Sequence, residues 1–211
     1  MRGVMRKIAA VVLAAVLHAG LAGPAAAAGE DPDWPCIQRK VSEISAAQVW
    51  SGPPLDAGED AWRNDDALAA LSAAIASRRT EMADAKTKIA DFASASVTDR
   101  DRRLTLLFAG ILANINAERG SIMAGIGRYA RRQHALAEKI AGEAAELGKL
   151  PPQGGTDDEA AHRQELTEAQ EWDTRIFRER ERSLRYVCEL PTLLEQRAFA
   201  LGKEIASQLK K

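Results

Sequence analysis

Cys36 and Cys188 are the only two cysteines in this chain of 211 residues, and thiols can do either of two things. Redox exchange needs a Cys-x-x-Cys pair or a neighbouring cation or histidine that lowers a thiol pKa, and neither cysteine has one nearby in sequence. The leading expectation is a structural disulfide, with a reactive or intermolecular thiol as the alternative. Only one intramolecular bridge can form, and it would pin the first ordered segment of the chain to its last helix. Closing a loop of that length stabilises by at most about 5 kcal/mol on the chain-entropy argument.

Other reactive groupings are sparse. His134 and His162 are the histidines beyond the leader described below, and in a hairpin they fall well apart, so no metal site is expected. There is no Gly-x-Ser-x-Gly, phosphate loop, His-Glu-x-x-His, dinucleotide turn or haem attachment motif, and so no cofactor is expected. Glu118 and Arg119, set within the apolar stretch Ile111 to Ile126, are the candidate buried charges. An enzyme would have to build its pocket around them and the tryptophan segment. Buried ionic groups more often fix register than perform chemistry.

The densest charge is the run Arg175-Ile176-Phe177-Arg178-Glu179-Arg180-Glu181-Arg182-Ser183-Leu184-Arg185. Folded back on the preceding helix, it lies opposite Arg128, Arg131 and Arg132. The default expectation is a solvated face laced with helix ion pairs. The alternative is a docking patch in which Arg128, Arg131, Arg132, Arg175, Arg178, Arg180, Arg182 and Arg185 meet an anionic partner, whether lipid headgroups, cell-wall polymer or an acidic protein.

Leu166-Thr167-Glu168-Ala169-Gln170 resembles the Leu-Thr-x-x-Gln motif of the Spy and CpxP family of periplasmic helical proteins. The resemblance covers five residues, and it implies a holdase-type chaperone or stress regulator. In that family the threonine begins a helix and the pattern usually appears twice; here Thr156 begins the helix and there is no second copy.

The elements that position these residues begin with an export leader at 1–28. Arg2, Arg6 and Lys7 precede an apolar run from Ile8 to Leu17, and Pro24-Ala25-Ala26-Ala27-Ala28 supplies small residues for cleavage. The run is too short and alanine-rich for a membrane span, so the mature chain is expected in the bacterial periplasm, without a transmembrane segment, where disulfides persist. The formal charge is −1, and about −4 without the three leader cations. That leaves no basic excess for nucleic acid.

Residues 29–63 are rich in proline and glycine and carry Trp34, Trp50 and Trp62. They read as an irregular segment with one short helix near 36–48, docked through its tryptophans. Residues 64–211 read as helical. Leu68, Leu71, Ile75, Met82, Ile89 and Phe92 form one stripe over 64–94. A longer pattern runs from Asp99 to Leu150, with Phe108, Ile115, Ile122, Tyr129, Leu136 and Leu150 in heptad steps and Leu112, Ile126, Ile140 and Leu147 as companions.

Pro151-Pro152-Gln153-Gly154-Gly155 stops that helix, and Thr156 to Glu159 has the form of a capping box that starts the last one. Its inner face is read as Leu166, Phe177, Leu184, Val187, Leu194, Leu201 and Ile205, with a kink at Pro191. Ala113, Ala117, Gly120, Ala124 and Gly127 make a small-residue seam on the other side of the middle helix, where the tryptophan segment should dock. With the turn centred near Gln153, Cys188 would lie near Glu118 and Gly120.

The expected fold is therefore all-α: an antiparallel three-helix base from 64–130 and about 180–211, with a projecting coiled-coil hairpin arm at about 131–178. A disulfide pins the irregular N-terminal segment to it. The arm stripe could pair within the chain or with a second copy. The expected function is non-catalytic binding, as a scaffold or accessory subunit for an envelope component.

Overall fold

The structure is a computed structural model that describes residues 31, 33–55, 59–153 and 155–210. The leader expected at 1–28 lies outside them. All regular structure among the described residues is helical: α1 (Ala46–Val49), a 3-10 turn (Glu59–Asn64), α2 (Asp66–Ala76), α3 (Met82–Ala95), α4 (Arg100–Lys149) and α5 (Asp157–Ser207). At 1.5 Å per residue, α4 and α5 are each about 75 Å long and dominate the molecule.

Their ends follow the local sequence. Asp99 occupies the position before α4 in a left-handed conformation (φ 52°), with Asp101 in the first turn of the helix. Thr156 accepts from Glu159 N at 3.2 Å while Glu159 Oε2 accepts from Thr156 N at 2.7 Å. That reciprocal pair is the expected capping box. Helix α5 remains helical through Pro191, although the missing N–H leaves the Val187 carbonyl without its usual donor.

The core of the base forms where α4 is apolar around most of its circumference. Leu104, Leu107, Phe108, Ile111 and Ile115 are fully buried against Ile75 of α2, Ile89 of α3 and Leu194, Leu201 and Ile205 of α5. Each such side chain contributes roughly 1.5–3 kcal/mol of transfer free energy. Two glycines permit close approach. A Cβ on Gly110 would fall 2.8 Å from Ser72 Oγ, and one on Gly202 would collide with the Val49 carbonyl.

The stripe over 64–94 is two helices rather than one, because the chain breaks at Ser77 to Glu81. Thr80 Oγ1 donates to the Ala74 carbonyl at 2.7 Å. Arg197, reaching over from α5, donates to the carbonyls of Ile75 (2.7 Å), Ala76 (3.0 Å) and Thr80 (2.9 Å). These side chains supply the donors that a continuing helix would have provided. Burial lowers the Arg197 pKa, but a guanidinium stays charged. Thus α2 packs on α4 while α3 turns to pack on α5.

The N-terminal segment also departs from expectation. No helix spans 36–48; only α1 is helical there. Backbone groups of the irregular part, at Val41 and Ile44, are served instead by α4. Asn116 Oδ1 accepts from Ile44 N at 2.9 Å and its Nδ2 donates to Ile44 O at 3.1 Å. Two of the three tryptophans pack on the helices, and the contacts of Trp34 stay within the segment. Trp62 is buried, and Trp50 stacks on Phe108 with ring centroids 4.3 Å apart. Trp34 donates from Nε1 to Gln38 O at 2.6 Å.

The small-residue seam is covered less than expected. Gly127 is buried, with Asp33 against it, but Ala117, Gly120 and Ala124 are exposed. The segment is held by apolar contacts of Ile44, Val49, Trp50 and Trp62 with the core, by side-chain hydrogen bonds and by the disulfide, not by the seam.

Beyond Ala130 the two long helices pair alone, and their interface changes character. Leu136, Ile140, Leu147, Leu166, Ile176 and Phe177 are only half-buried. Asp173 is enclosed within the arm, 8 % exposed, and it receives Lys139 Nζ at 2.6 Å, with the equally enclosed carboxylate of Glu143 beside the same lysine. Tyr129 donates to Arg180 O at 2.8 Å and Gln133 to Phe177 O at 3.2 Å. These pairs place α5 about one turn away from the register that a turn at Gln153 implies. Val187, expected on the inner face, is 38 % exposed.

An arm with so little enclosed apolar surface should open independently of the base. Amides of 131–149 and 157–178 are expected to exchange at least about a hundredfold faster than those of the buried α4 segment, a gap of about 3 kcal/mol; equal protection along α4 would contradict this. Two ion pairs add a small pH dependence to the arm. Asp173, through its hydrogen bond, raises the Lys139 pKa, and Lys149 lowers that of Glu146. The lysine contribution is present below its ordinary pKa and lost as pH rises through the raised value; the glutamate contribution is present above its ordinary value and lost as pH falls through the lowered one. Arm helicity by circular dichroism should therefore stay level from about pH 5 to 10.

Candidate interaction surface on the last helix

The disulfide junction is the first place where sequence-selected residues meet. Cys36 and Cys188 are bonded, with Cα atoms 5.5 Å apart. Gln38 donates to the Cys188 carbonyl. One turn on, Arg119 Nη1 donates to Pro191 O at 2.6 Å while its Nε and Nη2 reach Val41 O at 3.2 and 3.0 Å. Arg119 is 4 % exposed. A single guanidinium therefore joins α4, α5 and the N-terminal segment where the proline disturbs the helix.

Glu118 points elsewhere. It pairs with Arg78 at 2.7 Å and lines a cleft of about 580 Å³ with Ala73, Ser77, Arg79 and Asn114. Neither Arg119 nor Trp34, Trp50 or Trp62 lines that cleft, so the residues expected to frame an enzyme pocket do not converge. His134 and His162 are exposed on the arm. Among the described residues no group of three His, Cys, Asp or Glu side chains could hold a metal ion.

The arginines divide into two sets. Arg128 and Arg131 line a cleft of about 490 Å³ with Asp33, Lys40 and Met123. Arg131 is used structurally, paired with Asp33. Arg132 is exposed. On α5, Arg175, Arg178, Arg182 and Arg185 follow one another at three, four and three residues, which puts them on one helix face. Three of them line a second cleft, of about 560 Å³, with Gln170, Glu171 and Thr174.

Five of the belt's arginines, Arg175, Arg178, Arg180, Arg182 and Arg185, are exposed. None forms an ion pair with a carboxylate among the described residues. The expected lacing of this face by helix ion pairs is absent. Arg175 sits instead over the ring of Trp172, 5.7 Å from its centroid. Trp172 is 59 % exposed and Tyr186 is 71 % exposed, with Leu193 and Phe199 further along the helix also open. The sequence reading passed over these apolar residues. Their signal was present as large side chains off the inner stripe of α5.

No family model, no curated protein and no solved structure matches this chain. Among the described residues no helix is long and apolar enough to cross a membrane.

Arg119→Met should destabilise the protein by about 3 kcal/mol, because the carbonyls of Val41 and Pro191 lose their charged donor. Urea unfolding measures the loss. Limited proteolysis should show the segment before Ile44 cut earlier than in the parent, with the disulfide still closed. An unchanged urea midpoint would mean that the guanidinium does not hold the junction.

Proposed function

We propose that this protein is an exported, non-catalytic binding protein that docks an anionic component of the bacterial envelope through the arginine row of α5. The observation that carries the reading is the row itself: Arg175, Arg178, Arg182 and Arg185, exposed on one helix face and unpaired with carboxylates among the described residues. Cations left unneutralised by their own helix steer and hold an opposite charge. A long two-helix scaffold supplies reach and surface rather than an enclosed pocket. The divergence of Glu118 and Arg119 favours binding over catalysis, and the disulfide favours an oxidising compartment such as the periplasm.

A holdase-type chaperone, as the Leu166 to Gln170 motif implies, is the second reading. The exposed Tyr186, Val187, Leu193 and Phe199 favour it. Such a protein would hold many clients weakly through apolar contact, with little dependence on salt.

Affinity capture from periplasm separates the two, comparing the disulfide-bonded protein with a variant carrying R175Q, R178Q, R182Q and R185Q. One partner retained by the parent, and weakened at least about tenfold by the variant or by raising salt from about 50 to 200 mM, is the expected result. Many clients held equally by both proteins would support the chaperone and overturn the docking proposal.

A further inference from the structure

The chemistry of the α5 face is more specific than positive charge. Trp172, Glu179, Tyr186 and Leu193 stand seven residues apart in succession, so they form a line along the helix at coiled-coil spacing. Arg175, Arg178, Arg182 and Arg185 flank that line. Trp172 and Leu193 are about 32 Å apart along the axis, the length of a partner helix of about 21 residues. Trp, Tyr and Arg are also the residue types that most often dominate binding energy at interfaces.

Resting on the docking role proposed above, we infer that this face is a seat for an acidic helix of a partner protein, packed alongside α5 from Trp172 to Leu193. The charge pattern selects a helix over a uniformly anionic surface. Glu171, Glu179, Glu181 and Glu189 are interleaved with the arginines, so a membrane or anionic polymer would meet repulsion at several points along the row. A helix can place carboxylates against the arginine row and a cation or small polar group against Glu179. Like charge brought together is what makes such pairing selective. The apolar contacts would come from Trp172, already aligned beneath Arg175, and from Tyr186 and Leu193.

The test uses the intact disulfide-bonded protein and a synthetic, fluorescently labelled 21-residue helical peptide. It carries leucine at the positions facing Trp172, Tyr186 and Leu193 and glutamate at those facing the four arginines. A second version carries lysine in place of those glutamates. Saturable binding of the glutamate peptide by anisotropy is expected, at least tenfold weaker for the R178E/R182E protein, and the lysine peptide should prefer that variant. Both changes are at exposed positions, and circular dichroism verifies that the variant is folded. Absence of saturation, or equal affinity for parent and variant, overturns the helix seat. Phosphatidylglycerol vesicles run in parallel separate the two levels of the proposal. Arginine-dependent vesicle binding without peptide binding would sink the helix seat and leave anionic docking standing; binding to neither would remove both.

Discussion

Helix α4 is buried around most of its circumference from Leu104 to Ile115 and still enclosed in places as far as Ala130, and every other element is placed by where that burial stops. A cylinder with apolar side chains on several faces must be covered on several faces. Helix α2, the N-terminal segment and the C-terminal half of α5 provide the cover. Past Ala130 the sequence offers one narrow inner face, so one partner helix suffices and the hairpin projects.

Covering α4 with an irregular segment creates a polar problem that side chains solve. Irregular backbone laid on a helix has no regular hydrogen-bond ladder of its own, and its buried groups still need partners. Asn116 serves both polar groups of Ile44, Arg119 serves Val41, and Gln38 of the segment serves Cys188 in return. Arg197 plays the equivalent part at the end of α2. These polar residues are structural. The arginines of the α5 row make no carboxylate ion pair among the described residues and lie exposed.

The arm trades stability for surface. Its inner face contains Gln133, Glu143 and Asp173 beside modest apolar contacts, a mixture that specifies register better than it stabilises. The disulfide and Arg119 sit at the root of the arm, so its loosening need not spread into the base. A partner bound along α5 from Trp172 to Leu193 would straddle that boundary. Residues 172–178 of the seat lie on the arm, and the rest lie alongside the base.

The sequence by itself determined the all-α class, the ends of the two long helices and the pairing of Cys36 with Cys188. Those features rest on local chemistry, on the period of apolar residues, or on there being only one pair of thiols. Only the tertiary structure decided that the stretch over 64–94 breaks at Ser77, since the donors that end α2 come from Arg197, 121 and 122 residues away. It also decided that the chain from Cys36 to Ser45 is irregular rather than helical, with Asn116 and Arg119 reaching Ile44 and Val41 from another helix. The arginine row was legible as composition, but its lack of pairing was not. Spacing places an arginine and a glutamate on neighbouring turns, whereas whether their side chains meet depends on the rotamers that surrounding contacts allow.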